Sequence, residues 1–124
     1  MEHKTIFIIE DSKFFLLNLK NKLKSHNYNI LNAYDGLEAL NTLKKIQKLP
    51  DLIISDIIMP NMDGISFFLN FQKITKLKNI PIIFMSGLVS EELNQILRTN
   101  SNVDYIKKPF DDTILLSKIK QLLN

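Results

Sequence analysis

Leu52-Ile53-Ile54-Ser55-Asp56-Ile57-Ile58-Met59-Pro60-Asn61-Met62-Asp63-Gly64 is the stretch on which the reading of this chain turns. An unbroken apolar run with no polar alternation is what a strand covered on both faces requires, and Asp56 closes the run at its carboxyl end. Pro60 and the Asp63-Gly64 pair mark a loop before the next periodic segment. The same pattern recurs outward in both directions. Further apolar runs lie at Ile6 to Ile9, Ile30 to Tyr34, Ile82 to Met85 and Val103 to Ile106. Between them the spacing turns helical, with stripes Leu16/Leu19/Leu23, Leu37/Leu40/Leu43/Ile46, Phe67/Phe68/Phe71, Leu93/Ile96/Leu97 and Leu115/Ile119/Leu122.

A strand followed by a helix, five times over, predicts an α/β fold: an open parallel sheet with helices on both faces, joined by right-handed crossovers. Ser12 and Ser90 are placed to cap the helices that follow them, and a helix from Asp111 to Leu123 takes up the end of the chain. With 124 residues and 45% apolar content, the expectation is one domain over 1–124, large enough for a real core and too short for two ordinary domains.

The 16 basic and 13 acidic residues give a net charge of +3 and are scattered along the sequence, without the dense block of a nucleic-acid-binding arm. Direct nucleic-acid binding is therefore not expected, and the charge balance by itself names no partner. Cysteine is absent, which excludes disulfides and thiolate metal sites and fits a reducing cytosol. No apolar run approaches the roughly 20 residues of a bilayer span. Ile6 to Ile9 is shorter than a signal-peptide core and is ended by Glu10-Asp11, so the chain reads as soluble, unprocessed, cytoplasmic and not membrane-inserted.

Ligands of such sheets bind at the carboxyl ends of the strands. Glu10 and Asp11 follow the first run, Asp56 the third, Ser86 the fourth and Lys108 the fifth. Three carboxylates brought together there repel by about 4 kcal/mol per close pair at an effective dielectric near 20. A hard cation with oxygen ligands offsets this, and Mg²⁺ suits a site with few carboxylates and open positions for water and phosphate oxygens. Lys108 would add an ammonium, and Ser86 a hydroxyl donor, to a phosphoryl oxygen. Taken singly, each of these residues has a plainer reading as a turn residue, a helix cap or a solvated surface charge; their convergence on four strand ends argues for a site.

Ser55 to Gly64, as quoted, and Asp104-Tyr105-Ile106-Lys107-Lys108-Pro109-Phe110 closely resemble the phosphoacceptor and lysine-proline loops of the receiver domains of two-component signalling, and the chain as a whole is similar to the bacterial chemotaxis response regulator. The resemblance implies a flavodoxin-like (βα)5 three-layer sandwich with strand order 2-1-3-4-5. It implies that Asp56 accepts a phosphoryl group from a sensor histidine kinase or a histidine phosphotransfer protein. Asp11, Asp56 and the Ile58 backbone carbonyl would ligate Mg²⁺ (or Mn²⁺), with Glu10 acting mostly through water. Ser86 and Lys108 would contact phosphoryl oxygens, and Tyr105 would be a switch aromatic turning from exposed to buried. The helix 4/strand 5/helix 5 surface would then face an unknown downstream target, in a monomer or a weak phosphorylation-dependent dimer. The domain would be regulatory rather than an enzyme, assisting only its own phosphorylation and dephosphorylation. A cis peptide between Lys108 and Pro109 is expected from the same resemblance.

The chain departs from the family in places. Ser101-Asn102 stand where a Gly-Ala pair is common, so Asn100 or Asn102 is expected to take the left-handed cap that glycine usually supplies. Ile58 and Leu88 are apolar where relatives often carry polar groups that orient an attacking water, which predicts a comparatively long-lived phosphoryl group. Phe14 is left near the rim of the site by the burial of Phe15, Leu16 and Leu19, and with Pro109 and Phe110 it is a candidate docking residue for the donor's helical bundle.

The principal alternative is a phosphorylation-independent protein-protein interaction module of the same fold, since a fold alone implies no function. A haloacid-dehalogenase-type phosphatase usually has a second aspartate where Ile58 stands. A flavin carrier would want a Ser/Thr/Gly-rich loop where Glu10-Asp11 would repel phosphate.

Overall fold

A computed structural model describes residues 3–124. The elements are β1 (Thr5–Ile9), α1 (Lys13–Lys24), β2 (Asn29–Ala33), α2 (Gly36–Lys45), β3 (Leu52–Asp56), α3 (Gly64–Phe71), β4 (Ile82–Ser86), α4 (Glu91–Thr99), β5 (Val103–Lys107) and α5 (Asp112–Leu123). The strands form one parallel sheet in the order β2-β1-β3-β4-β5, as the resemblance implies.

The alternation of side chains along each strand divides the interior into two cores. Phe7, Ile9, Ile53 and Phe84 point to one face and pack with Ala39, Leu40 and Leu43 of α2, with the α3 phenylalanines, and with Leu93 and Ile96 of α4. Ile6, Ile8, Ile54, Ile83 and Ile106 point to the other face and pack with Leu16, Leu19 and Leu23 of α1 and Leu115 and Ile119 of α5. Full burial of each such side chain stabilises the fold by about 1.5–3 kcal/mol. Because both faces are covered, the central strands β1, β3 and β4 are apolar at nearly every position; edge strand β2 instead carries Asn29 and Asn32.

Every helix has a side-chain N-cap. Ser12 accepts from the Phe15 N–H, Asp35 from Glu38, Asp63 from Ser66, Ser90 from Leu93 and Asp111 from Thr113. Two expectations need correction. Leu37 is exposed, because α2 turns Gly36, Ala39, Leu40 and Leu43 inward; a Cβ at Gly36 would lie 2.6 Å from the Met62 carbonyl oxygen, so the missing side chain lets the start of α2 approach the loop before α3. Neither Asn100 nor Asn102 adopts the left-handed conformation; the non-glycine residues with positive φ among those described are Asn27 and Asn61. Asn100 is extended and donates its side-chain amide to the Ile96 carbonyl at 2.9 Å, so the side chain satisfies a carbonyl that a left-handed backbone cap would otherwise reach. Among the described residues no helix is long and apolar enough to cross a membrane.

Candidate functional site

Strand register assembles the site. Ile9 pairs with Ser55, Asp56 with Met85, and Ser86 with Lys107, so Glu10 and Asp56 share one level at the carboxyl end of the sheet, with Ser86 one rung and Lys108 two rungs beyond it. One carboxylate oxygen from each of Glu10, Asp11 and Asp56 lies within 4.8 Å of the others. The Lys108 ammonium donates to Glu10 Oε1 at 2.8 Å and to Asp56 Oδ2 at 3.2 Å. Asp56 Oδ1 accepts the Ile57 N–H, and Glu10 Oε2 accepts the Ser12 N–H.

Glu10 is only 1% exposed. Burial pushes its carboxyl above the ordinary 4.5; the Lys108 and Ser12 hydrogen bonds work against that, and the Asp56 charge adds to it. Burial works to lower the Lys108 ammonium, yet its hydrogen bond to Glu10 and the charge of Asp56 outweigh this and hold it above 10.5. Three carboxylates face a single ammonium, so the cluster keeps an excess of negative charge. A divalent cation with oxygen preference fits that excess, and the exposed Asp11 leaves the cluster open on one side. Lys108 is positioned in turn by the Phe15 ring, whose centroid is 4.2 Å from Nζ, and Phe15 meets Phe110 edge-on.

Ser86 is buried, and its Oγ accepts the Leu88 N–H at 3.2 Å. Its backbone carbonyl accepts two donors, the Lys108 N–H at 2.9 Å and the Tyr105 hydroxyl at 3.0 Å. Tyr105 is half-buried against the α2/α3/α4 core, and burial pushes its phenol above the ordinary 10.0. The Lys108-Pro109 peptide is cis. Ile58 and Leu88 lie on the rim, 73% and 77% exposed, and Phe14 is 80% exposed. Phe14, Phe15, Asn18, Pro109 and Phe110 line a cleft of about 270 Å³ beside the site. The three docking candidates thus share one surface.

Sequence reasoning missed the parts that hold Asp56 in place. A Cβ on Gly64 would lie 2.2 Å from the Asp56 carbonyl oxygen, and the Gly64 N–H donates to Ile57 O at 2.8 Å. The loop between β3 and α3 is also fastened to α2. Gly36 N–H donates to Met62 O at 2.9 Å, and Asn61, at φ 64°, donates its side-chain amide to Asp35 Oδ2 at 2.6 Å. The Glu38 N–H and that Asn61 amide hold the Asp35 carboxyl below its ordinary 3.8. Asp63-Gly64 signals the turn in sequence; the partner 26 residues away does not show there.

A doubly wound parallel sheet with three carboxylates, a hydroxyl and an ammonium converging at its switch point defines a receiver-type domain. The family description "Response regulator receiver domain" matches residues 6–120, and the chain belongs to that family, which places it in two-component signalling. It is 33% identical over 116 residues to "Sensor histidine kinase CheAY" of Helicobacter pylori, covering 94% of this chain but only 14% of that kinase. Among solved structures, the signal receiver domain of a signal transduction histidine kinase from Syntrophus aciditrophicus is 33% identical with a TM-score of 0.84, covering 97% of this chain and 89% of that one. The chemotaxis protein CheY4 of Vibrio cholerae is 27% identical with a TM-score of 0.86, covering 98% and 100%.

Proposed function

We propose that residues 1–124 act as a single cytoplasmic receiver module that accepts a phosphoryl group on Asp56 from the phosphohistidine of a sensor kinase or a histidine phosphotransfer protein. The observation that carries this reading is the Lys108 ammonium bridging Glu10 and Asp56 beside Asp11, with three carboxylate oxygens within 4.8 Å. Glu10, Asp11, Asp56 and the Ile58 carbonyl would hold Mg²⁺ or Mn²⁺, which supplies neutralisation of the carboxylates and of the incoming phosphoryl oxygens. An Asp56 carboxylate oxygen forms the new bond to phosphorus as the bond from phosphorus to the donor's imidazole nitrogen breaks, and the electron pair leaves on that nitrogen. Because the transition state is loose, the protein's contribution is alignment and charge neutralisation. Lys108 gives up a carboxylate contact to donate to one phosphoryl oxygen, and the Ser86 hydroxyl donates to another. Drawing Ser86 toward the phosphoryl group changes the seat of Tyr105 and so the α4–β5–α5 surface that meets a downstream target.

Incubation with acetyl phosphate or phosphoramidate and Mg²⁺ is expected to add one phosphate to the intact mass, with no addition in Asp56→Asn. An unchanged mass in the wild-type protein would instead support a phosphorylation-independent interaction module. Exposed Ile58 and Leu88 offer no hydrogen-bonding side chain to a hydrolytic water, so the added mass is expected to decay slowly once the donor is removed.

The Phe14 cleft serves as the landing surface for the donor's helical bundle. Phe14→Ala is expected to slow transfer from the cognate phosphohistidine donor by about thirtyfold, the scale of an interface hot spot, while leaving labelling by acetyl phosphate unchanged. Equal rates from both donors would remove the docking role.

A further inference from the structure

The fold sorts charges that alternate along the sequence. All strands run one way and all helices run back, so the helix starts share the sheet end that holds the site, and the helix ends share the opposite end. Nine of the 13 acidic residues lie at the site end: Glu10, Asp11 and Asp56 in the site itself, and Asp35, Glu38, Asp63, Glu91, Glu92 and Asp111 in the first turns and caps of α2 to α5; Asp112, in the first turn of α5, pairs with Lys22 of the last turn of α1 at 2.8 Å. The opposite end is basic. Its densest part joins two segments, Lys44, Lys45 and Lys48 at the end of α2, and Lys73, Lys76 and Lys78 after α3, all six exposed. Neither 39–50 nor 64–90 contains an acidic residue. The two segments touch: Lys76 Nζ donates to the Lys44 carbonyl at 3.4 Å. Lys4, Lys24 and Lys120 extend the basic end across the width of the molecule.

Complementing the helix dipole accounts for Lys44 and Lys45 in the last turn of α2. It does not account for Lys73, Lys76 and Lys78, which follow a helix whose last turn has no basic residue and lie in the loop beyond it. Among the described residues the acidic groups at this end are both engaged, Asp51 by the Thr5 N–H and Asp104 by Lys118.

We infer that this end of the domain is a docking surface for an anionic bilayer, set by the juxtaposition of the 44–48 and 73–78 lysines. The chemistry favours a diffuse anionic plane over a nucleic acid. The patch is lysine throughout, each a point charge on a flexible stem; the chain's single arginine, Arg98, is paired with Glu91, so no bidentate fork faces phosphate. No aromatic residue lies in either segment to stack a base. The helices end here in carbonyls rather than N–H groups, so no phosphate cradle is built and attraction acts at a distance. Attachment by this end is peripheral, and it leaves the carboxylate site at the far end of the sheet open to a donor. The inference does not depend on Asp56 being phosphorylated.

The test is co-sedimentation of the full chain with vesicles of phosphatidylcholine alone or mixed with phosphatidylglycerol, at low and raised salt. Binding is expected to the anionic vesicles only, and to weaken as salt rises. Lys73→Glu with Lys76→Glu is expected to lower partitioning by at least about 25-fold, about fivefold for each lysine removed, with the repulsion of the two new carboxylates adding to it. Lys13→Glu with Lys20→Glu changes net charge equally but away from the patch, and is expected to bind nearly as well as the wild type. Circular dichroism of both variants verifies the fold. The inference is overturned by failure of the folded wild-type protein to bind anionic vesicles. Equal loss in the two variants, retained binding in Lys73→Glu/Lys76→Glu, or displacement from vesicles by duplex DNA at matched phosphate concentration each overturns it as well.

Discussion

Lys108→Met is expected to slow labelling of Asp56 by about 100-fold or more, the cost of removing one preorganised charge from a developing anionic centre. It is also expected to destabilise the metal-free fold by about 3–5 kcal/mol, because a buried carboxylate loses its cation. Methionine keeps a chain of similar length but loses the ammonium that sits 4.2 Å from the Phe15 ring centroid, so the substitution removes the charge and its cation–π contact more than apolar volume. The pH dependence separates the two. Glu10 already titrates above its ordinary 4.5 through burial, and without the Lys108 hydrogen bond it moves further up. A carboxyl raised in the folded state costs stability above its unfolded value, and the cost is relieved as pH falls and a proton takes the place of the ammonium. The variant's deficit is therefore largest at neutral pH and shrinks on acidification toward 4.5. Mg²⁺ should restore part of the deficit at neutral pH. Denaturant titrations at both pH values, with and without Mg²⁺, measure this. A deficit independent of pH and metal would assign Lys108 to packing alone.

Gly64→Ala is expected to be the most damaging single-methyl change near the site. Its Cβ would sit 2.2 Å from the Asp56 carbonyl oxygen and 3.0 Å from the Ile57 Cα, both backbone atoms that cannot rotate away. Relief requires α3 to retreat or Asp56 to move. The first costs about 1–3 kcal/mol or more as overpacking. The second misaligns the proposed phosphoacceptor, where a displacement of about 1 Å costs on the order of 100-fold in rate. Gly87→Ala is the control for stability, since a Cβ there meets nothing within 4 Å, and it should shift the unfolding free energy by less than about 0.5 kcal/mol. Comparable destabilisation by both substitutions would show that the crowding at Gly64 is relieved without cost.

The architecture was legible because burial on both faces removes alternation from the inner strands. Ile6 to Ile9 and Ile82 to Met85 declare themselves as runs, and the helical stripes fill the intervals. Glu10, Asp11, Asp56, Ser86 and Lys108 were legible for a related reason: each directly follows a run, and parallel register does the rest. What escaped were features that exist only after folding. Leu37 fits an apolar helical stripe, but Gly36 and Ala39 carry no bulk to advertise that their side of α2 faces inward. The Asn61 contact with Asp35 joins elements that no periodicity links. The charge separation was equally hidden, since acidic helix starts and basic helix ends average out along a sequence and add only when the helices are aligned.

The Ser86 carbonyl oxygen has two lone pairs, and the Lys108 amide and the Tyr105 hydroxyl occupy both. The aromatic ring is therefore moored to the main chain, so exchanging the Ser86 side chain leaves the mooring intact. Rotation of the peptide unit between Ser86 and Gly87 casts it off, and the same rotation strips the last rung between the fourth and fifth strands. A swing of that peptide therefore loosens the ring and the sheet edge together, whereas rotation of the Tyr105 side chain alone frees the ring and leaves the Lys108 rung in place.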